Sequence, residues 1–277
     1  MTEIEQVADA AIAEAGARML RAWHGQKAVE YKSPIDLVTK TDRDIEAAVV
    51  ARLRTAFPDH MIVAEEASAG RSIPRPSTDC YAWYLDPIDG TTNFAHSYPQ
   101  CCVSLGLARG DDLLYGIVYD PLSEETFKAK RGAGATLNGR PIHVSTTPQL
   151  EQALIGTGFP YDRRSHVDFY LAFMRDFMLR TQGVRRVGSA ALDLCYVACG
   201  RLDGFFEWKL LPWDTAAGAL IVREAGGMVS DFSNGLFDLY GDQILASNGC
   251  IHMLMLDVLQ SRLASTPIPP RFADSRA

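Results

Sequence analysis

The stretch from residue 83 to residue 94, with the sequence WYLDPIDGTTNF, constrains this chain more than any other. The apolar residues 82–85 predict a strand, which ends at Asp86 and Asp89, two acids three positions apart. Pro87 between them fixes its own φ and disfavours helix at Asp86, so we expect both carboxylates on a rigid bend. Hard carboxylate oxygens grouped in this way suit a divalent metal ion.

Gly90, directly after these acids, permits a tight turn, and Thr91 and Thr92 then begin a predicted short helix. The free N–H groups at the start of a helix bind phosphate and other anions. A metal ion and a phosphate group could therefore meet at this bend. The alternative is an ordinary turn, because Asp, Pro and Gly form turns in most proteins.

Two further acids occupy comparable positions. Glu65 follows the apolar residues 61–64, which predict a short buried strand. Its alternative role is simply to begin a solvated loop. Asp214 lies at the predicted N-cap of a helix rich in Ala and Gly, and plain capping is the alternative there. Small residues at the start of that helix predict close approach to another backbone.

A fifth acid, Asp42, precedes a second predicted helix. Thr41 and Asp44 have the spacing of a capping box at the start of that helix. The alternative role of Asp42 is that of a first-turn acid favoured by the helix dipole. Several acids in similar settings make a shared site more credible than any one of them alone.

Composition narrows the possible partners and the compartment. A hydrophobic content of 47% and a charged content of 22% over 277 residues are typical of a soluble globular protein with one or two domains. The formal net charge of −7 gives no support for nucleic-acid binding, and no apolar run approaches the length of a membrane span. The first helix is acidic and amphipathic rather than a signal peptide, and the six cysteines show no zinc-site spacing. We therefore expect a cytoplasmic protein with neither nucleic acid nor membrane as a partner.

Hydrophobic periodicity predicts an antiparallel sheet in the first half and alternating strands and helices in the second. We predict an N-terminal α+β domain over residues 1–147 carrying most metal ligands. A C-terminal α/β domain over 148–266 carries Asp214 and the substrate wall, and a disordered tail covers 267–277. Strands are predicted at 101–107, 113–119, 125–130, 153–157, 184–187, 205–206, 228–231 and 244–247, and helices at 4–23, 168–180, 190–199 and 213–225.

The chemistry that these acids favour is metal-assisted hydrolysis. Oxygen ligands without paired His or Cys suit Mg²⁺, Ca²⁺ or Mn²⁺ rather than Zn²⁺. Two such cations can stabilise both the attacking and the leaving oxygen of a phosphate ester. The chain has no Walker lysine loop and no kinase signature, so hydrolysis of a small phosphate ester is favoured over transfer from ATP.

Four segments of the chain, in the expected order, resemble the inositol monophosphatase family. Residues 83–96 (WYLDPIDGTTNFAH) are similar to its first signature, and residues 213–227 (WDTAAGALIVREAGG) to its second. Residues 37–42 and 63–66 resemble its remaining metal-site segments. The resemblance implies an alternating α-β-α-β-α layered sandwich and a Mg²⁺-dependent, lithium-sensitive phosphomonoesterase that forms a homodimer.

The same resemblance implies a role for each matching residue. Thr91, hydrogen-bonded to Asp42 and aided by Glu65, would activate a metal-bound water. Two to three Mg²⁺ ions would be held by Glu65, Asp86, the carbonyl of Ile88, Asp89 and Asp214. The substrate would contact Asp89, Gly90, Thr91, Ala190, Glu207 and Asp214.

One departure from the family pattern is Trp208-Lys209 after Glu207, where many relatives carry a small residue. These two residues are either exposed on a loop or form a changed wall around the alcohol pocket. The expected substrate is inositol 1-phosphate. Histidinol phosphate, fructose 1,6-bisphosphate and 3′-phosphoadenosine phosphate are the alternatives within the same chemistry. An inactive homologue that acts by binding is the alternative from another class.

Overall fold

The computed structural model describes residues 2–25, 27, 29–33 and 36–266. The tail predicted at 267–277 lies outside these residues. Within the described ranges, no helix combines the length and the apolar character needed to cross a membrane.

Helices and strands follow one another along the chain with short links. The helices are α1 (Thr2–Trp23), α2 (Lys40–Ala56), α3 (Glu65–Ser68), α4 (Thr91–Ala95), α5 (Val167–Met178), α6 (Ala190–Ala198), α7 (Pro212–Glu224) and α8 (His252–Leu263). The strands are β1 (Val29–Ser33), β2 (Asp36–Thr39), β3 (Met61–Ala64), β4 (Tyr81–Asp89), β5 (Cys102–Arg109), β6 (Asp112–Asp120), β7 (Glu125–Lys130), β8 (Ala135–Leu137), β9 (Arg140–Ile142), β10 (Leu154–Thr157), β11 (Gly183–Arg185), β12 (Gly204–Trp208), β13 (Met228–Ser230) and β14 (Gln243–Ser247).

Two large sheets organise the chain. The seven-stranded sheet has the order β3-β4-β5-β6-β7-β8-β9 and is antiparallel except for the parallel pair β3–β4. The five-stranded sheet has the order β11-β10-β12-β14-β13 and mixes parallel and antiparallel pairs. The parallel β3–β4 pair matters most for function, because the carboxyl ends of both strands reach the same edge.

Successive side chains in each strand point to opposite faces of the sheet, and both faces of each sheet are buried. In β4, Trp83 packs with α1 and α2, whereas the adjacent Tyr84 packs on the side of α6 and α7. In β12, Phe205 faces α6 and α7, whereas Phe206 faces α5 and α8. These contacts define the layer order α1/α2, first sheet, α6/α7, second sheet, α5/α8. The expected α-β-α-β-α sandwich is therefore confirmed.

Helices α6 and α7 form the middle layer and contact both sheets. The predicted domain boundary at residue 147 therefore falls between two sheets that pack on the same helices. The division into the domains 1–147 and 148–266 stays a prediction. Helix α8 and the β1–β2 hairpin were not predicted.

The start of α2 corrects the predicted capping box. The N-cap is Thr39, which is extended, rather than Thr41. Asp42 closes the box, since its Oδ2 accepts a hydrogen bond from the Thr39 N–H at 2.8 Å. Asp42 rather than Asp44 completes the capping box, because it stands three positions after the N-cap. That N-cap, Thr39, is the last residue of β2.

Candidate active site

The parallel pairing of β3 with β4 brings two of the predicted acids together. Ala64 of β3 pairs with Leu85 of β4. The residues that follow them, Glu65 at the start of α3 and Asp86 within β4, are therefore neighbours. Glu65 begins α3, whose start is held by Glu46, which accepts hydrogen bonds from the backbone N–H groups of residues 66 and 67 at 2.7 and 2.8 Å. The two acids predicted at strand ends are thus neighbours, although β4 continues to Asp89 rather than ending at Asp86.

An irregularity at the end of β4 places Asp86 and Asp89, which main-chain N–H groups and a serine hydroxyl then hold. The β4–β5 register shifts between these residues, as a bulge would require. Asp86 Oδ1 accepts from the Ile88 N–H at 3.0 Å. Asp89 Oδ2 accepts from the Ser189 hydroxyl at 2.6 Å and from the Ala191 N–H at 2.7 Å. Asp89 therefore joins the first sheet to the start of α6.

Gly90 and Thr91 form the start of α4 as predicted. Gly90 has φ 93°, and a Cβ there would lie 2.9 Å from the carbonyl oxygen of Gln100, so only glycine fits. The Thr91 hydroxyl lies 3.0 Å from the Ile88 carbonyl oxygen and 3.2 Å from Asp42 Oδ1. Asp42 is fully buried behind Thr91 and does not line the cleft.

Helix α7 delivers the acid from the second half of the chain. Its N-cap is Leu211, with Pro212 next and Asp214 in the third helical position, so the prediction of Asp214 as N-cap was wrong. Asp214 Oδ2 accepts from the Leu211 N–H at 2.7 Å. Pro212 shifts the start of the helix, because it fits the first turn without needing a donor.

The predicted close approach of α7 to another backbone is present. A Cβ on Gly106 of β5 would lie 2.7 Å from the Cβ of Ala216. A Cβ on Gly116 of β6 would lie 2.8 Å from the carbonyl oxygen of Ala217. Glycine on the sheet and alanine on the helix thus let α7 lie low enough for Asp214 to reach the acids of β4.

One cleft of about 820 Å³ collects the predicted site residues. The predicted residues that line it are Glu65, Asp86, Ile88, Asp89, Gly90, Thr91, Ala190, Glu207 and Asp214. Residues 161–165, 188–190 and 207–211 line it as well.

The electrostatics of the cleft are dominated by buried acids. Burial, and then repulsion from Glu65 and Asp89, raises the pKa of Asp86 well above its usual value. Burial and then Asp89 likewise raise the pKa of Asp214. Burial raises the pKa of Asp42 to about 6, although hydrogen bonds from Thr39 oppose the shift. These acids destabilise one another when all are ionised.

Such a cluster fits a divalent cation. Asp86, Asp89 and Asp214 are all buried, and none forms an ion pair with a described Lys, Arg or His. Buried charge is tolerated when it is paired or coordinates a metal, and hard oxygens favour Mg²⁺ or Ca²⁺. In the described residues, however, no three His, Cys, Asp or Glu side chains converge closely enough to hold an ion as they stand.

The far side of the cleft contains Glu207, and its surroundings exclude one of the two alternatives for Trp208 and Lys209. Burial raises the pKa of Glu207 to about 8, although Arg186 opposes the shift. Trp208 is not exposed but buried, 5.3 Å between ring centroids from Phe169. Lys209 forms an ion pair with Asp162 at 2.6 Å. Of the two alternatives for these residues, exposure on a loop is wrong, because Trp208 is the last residue of β12 and both residues line the cleft.

Among the residues that line the cleft without having been assigned a role are Arg163, Arg186 and Asp193. Asp193 is buried in α6, and its Oδ1 has no hydrogen-bond partner. The two arginines lie in loops, where no periodicity marks their direction. The sequence offered one signal, since Arg186 stands two residues before the glycine that precedes Ser189 and Ala190.

The five-layer sandwich and its acid-lined cleft define an enzyme of the metal-using phosphatase class. Among solved structures, the inositol monophosphatase from Anabaena (Nostoc) sp. PCC 7120 superposes with a TM-score of 0.83 at 40% identity, covering 94% of this chain and 97% of that one. The sequence model of the Inositol monophosphatase family matches residues 1–265, and the chain belongs to this family.

Individual relatives carry two kinds of name. Inositol-1-monophosphatase of Synechocystis sp. is 46% identical over 263 residues, which cover 95% of this chain and 89% of the relative. The putative Nus factor SuhB of Neisseria meningitidis serogroup B is 44% identical over 252 residues, which cover 90% of this chain and 95% of the relative. Family membership makes this chain a phosphoric monoester hydrolase and implies the use of a divalent metal.

Proposed function

We propose that this chain hydrolyses small phosphate monoesters with Mg²⁺, with inositol 1-phosphate as the first candidate substrate. The observation that carries the proposal is the convergence of acids from α3, β4 and α7 on one cleft, beside the start of α4. A layered phosphatase needs both parts, since the acids can hold cations and the helix start can hold phosphate.

Mg²⁺ would be held by Glu65, Asp86, the Ile88 carbonyl, Asp89 and Asp214, with two to three ions in the cleft. When bound, Mg²⁺ would supply positive charge that favours deprotonation of water and stabilises the oxygens of the reacting phosphate. A bound cation would also stabilise the ionised acids, because it offsets both the burial and the repulsion that raise the pKa of Asp86 and Asp214.

Thr91 and Asp42 would orient the attacking water and receive its proton. The Thr91 hydroxyl is within hydrogen-bond reach of Asp42 Oδ1, so it can accept from water while donating to Asp42. The pKa of Asp42, raised to about 6 by burial, makes it a stronger acceptor than an exposed aspartate. Glu65, at the start of α3, would assist from the other side. The Gly90 and Thr91 N–H groups would bind the phosphate oxygens.

The alcohol part of the substrate would lie against Asp89, Ala190 and Glu207. Asp89 is held by Ser189 and Ala191, so its second oxygen has a fixed direction. Glu207 is kept close to Gly158, where any side chain would collide with its carboxyl group. Ala190 and Glu207 lie in α6 and the second sheet, apart from the proposed metal ligands, whereas Asp89 lies in β4 among them.

The test is phosphate release from a panel of esters with Mg²⁺, using the wild type and Asp89→Asn. We expect inositol 1-phosphate to be hydrolysed, and Asp89→Asn to abolish the reaction while the fold is kept. Histidinol phosphate, fructose 1,6-bisphosphate and 3′-phosphoadenosine phosphate complete the panel. If one of these were turned over orders of magnitude faster than inositol 1-phosphate, the first choice of substrate would fall. Activity retained in Asp89→Asn would refute the site.

Three further properties belong to the proposal: inhibition by millimolar Li⁺, a homodimer in solution and a cytoplasmic location. Li⁺ would compete for one cation position, so phosphate release should fall as Li⁺ rises and recover with added Mg²⁺. Full insensitivity to Li⁺ would indicate a remodelled cation position.

A second candidate is an inactive homologue that acts by binding. The relative named putative Nus factor SuhB is the observation in its favour. Against it, every acid and the threonine of the proposed site are present, namely Asp42, Glu65, Asp86, Asp89, Thr91 and Asp214. Absence of phosphate release from the whole panel would favour this candidate.

A further inference from the structure

Four arginines line the cleft and take no part in the proposed hydrolysis, namely Arg71, Arg163, Arg164 and Arg186. Arg163 and Arg186, here called the arginine pair, are 23 positions apart in sequence, yet both act on the carboxyl group of Glu207 by favouring its charged form. Arg163 lies in a short 3-10 turn, Tyr161–Arg164, after β10. Arg186 lies in the loop between β11 and α6.

The backbone makes room for Arg186. Gly188 has φ 94°, and a Cβ there would lie 2.6 Å from a terminal nitrogen of the Arg186 guanidinium. A side chain at residue 188 would therefore displace the guanidinium from the cleft. The same glycine stands directly before Ser189, which holds Asp89, so one turn positions both groups.

An aromatic ring lies beside each guanidinium. The Arg163 Cζ lies 5.9 Å from the ring centroid of Tyr161, and the Arg186 Cζ lies 5.8 Å from that of Phe159. Such contacts restrict the side chain while leaving N–H edges available for an anion.

The charges of the arginine pair have no acid partner within ion-pair distance among the described residues. Arg163 donates one hydrogen bond, to the Pro160 carbonyl oxygen at 3.3 Å. Elsewhere, Arg201 and Arg262 each make two short bonds to one carboxylate. The arginine pair thus keeps donors that other arginines of this chain use in salt bridges.

The two guanidiniums also lie near one another. Burial, and then the charge of Arg186, lowers the pKa of Arg163. Two like charges held together beside a cleft are stabilised by an anion that contacts both, most strongly when it has two oxygens for a forked donor.

We propose that Arg163 and Arg186 bind a second anionic group of the substrate, so that this cleft prefers phosphate monoesters that carry a further phosphate or carboxylate. The proposal rests on the phosphatase function proposed above. The scissile phosphate would lie at the start of α4, and the second anion would lie beyond Glu207. Simple polyol phosphates remain substrates, but they leave the arginine pair without a partner.

Matched pairs of esters test this preference. For carboxylate, 3-phosphoglycerate is compared with glycerol 3-phosphate, and for phosphate, fructose 1,6-bisphosphate is compared with fructose 1-phosphate. We expect the wild type to show a higher kcat/KM for the doubly anionic member of at least one pair, mainly through KM. A preference in only one pair identifies which anion is bound.

The variants Arg163→Gln and Arg186→Gln should each lower that ratio by about tenfold, the value of one charge-assisted contact. High salt should lower it as well. The matched control is Arg185→Gln, because Arg185 is an exposed neighbour whose guanidinium bonds its own strand at the Val184 carbonyl and does not line the cleft. Its ratio should equal that of the wild type.

The outcomes separate this inference from the function on which it rests. If the wild type hydrolyses singly anionic esters but shows no preference in either pair, the arginine pair does not bind a second anion. If the variants lower both members of a pair equally, the arginines are structural and the inference is wrong. If no ester releases phosphate, the proposed function itself fails.

Discussion

The two sides of the cleft are built in different ways. On the acid side, Asp86, Asp89 and Asp214 each accept a hydrogen bond from a main-chain N–H at the end of a strand or the start of a helix. On the other side, Arg163 and Arg186 extend from loops and lie beside aromatic rings. Main-chain anchoring fixes the acids with the fold, whereas the loop residues could change without disturbing it. We infer that the acid side sets the reaction and the loop side sets the choice of alcohol.

The largest effect should come from the acid side. Asp214→Asn should lower kcat by about 10³-fold, equivalent to roughly 4 kcal/mol of transition-state stabilisation, because a proposed cation ligand is lost. In EDTA the same variant should melt at a higher temperature than the wild type, since one of the repelling buried acids becomes neutral. Steady-state kinetics and thermal unfolding measure the two effects.

The control is Asp120→Asn, which changes a fully buried aspartate outside the cleft. Asp120 accepts from the Leu122 and Ser123 N–H groups, so its replacement should cost stability while leaving kcat within about twofold. An Asp214→Asn protein that lost stability in EDTA would contradict the repulsion among the acids.

An intermediate effect concerns pH and metal together. Burial raises the pKa of Asp42 from 3.8 to about 6 and that of Asp86 well above 3.8, so the folded protein binds more protons than the unfolded chain from pH 4 upward. Stability in EDTA should therefore fall as pH rises through 6, and the Asp42→Asn/Asp214→Asn double variant should show a shallower slope. Saturating Mg²⁺ should remove most of the decline. A wild-type slope that Mg²⁺ does not change would argue against cation binding by these acids.

The acid side could be predicted from the sequence because local rules determine it. An apolar run that stops at an acid predicts a strand end. Strand β3 ends directly before Glu65 as this rule predicts, whereas β4 continues past Asp86 to Asp89. Helix starts were located less well. Thr39 rather than Thr41 caps α2, and Pro212 moved Asp214 from the N-cap into the first turn. The capping acid of α2 is Asp42 rather than the predicted Asp44, and in both helices the carboxylate in the first turn accepts an N–H bond from the N-cap residue.

The loop side could not be predicted because its geometry depends on contacts between distant segments. The position of Arg186 depends on Gly188 and on the Phe159 ring, and nothing in the local sequence gives that contact. Asp193 could not be predicted for another reason, since it is a buried polar residue in the otherwise apolar helix α6. Periodicity predicts that a helix face is buried, but it does not say which polar group that face brings to a cavity.

The smallest effect should come from the packing behind the loop side. Trp208 packs against Phe173 and Phe232 as well as Phe169, and its indole N–H has no hydrogen-bond partner. Trp208→Phe should therefore cost roughly 1–2 kcal/mol of stability through lost packing alone and leave kcat within about twofold. Any change should appear in KM and should differ between alcohols, because Trp208 also borders the cleft beside Glu207. Chemical denaturation and kinetics on two esters measure both effects. A tenfold fall in kcat for every ester would show that the aromatic cluster also positions the acid side.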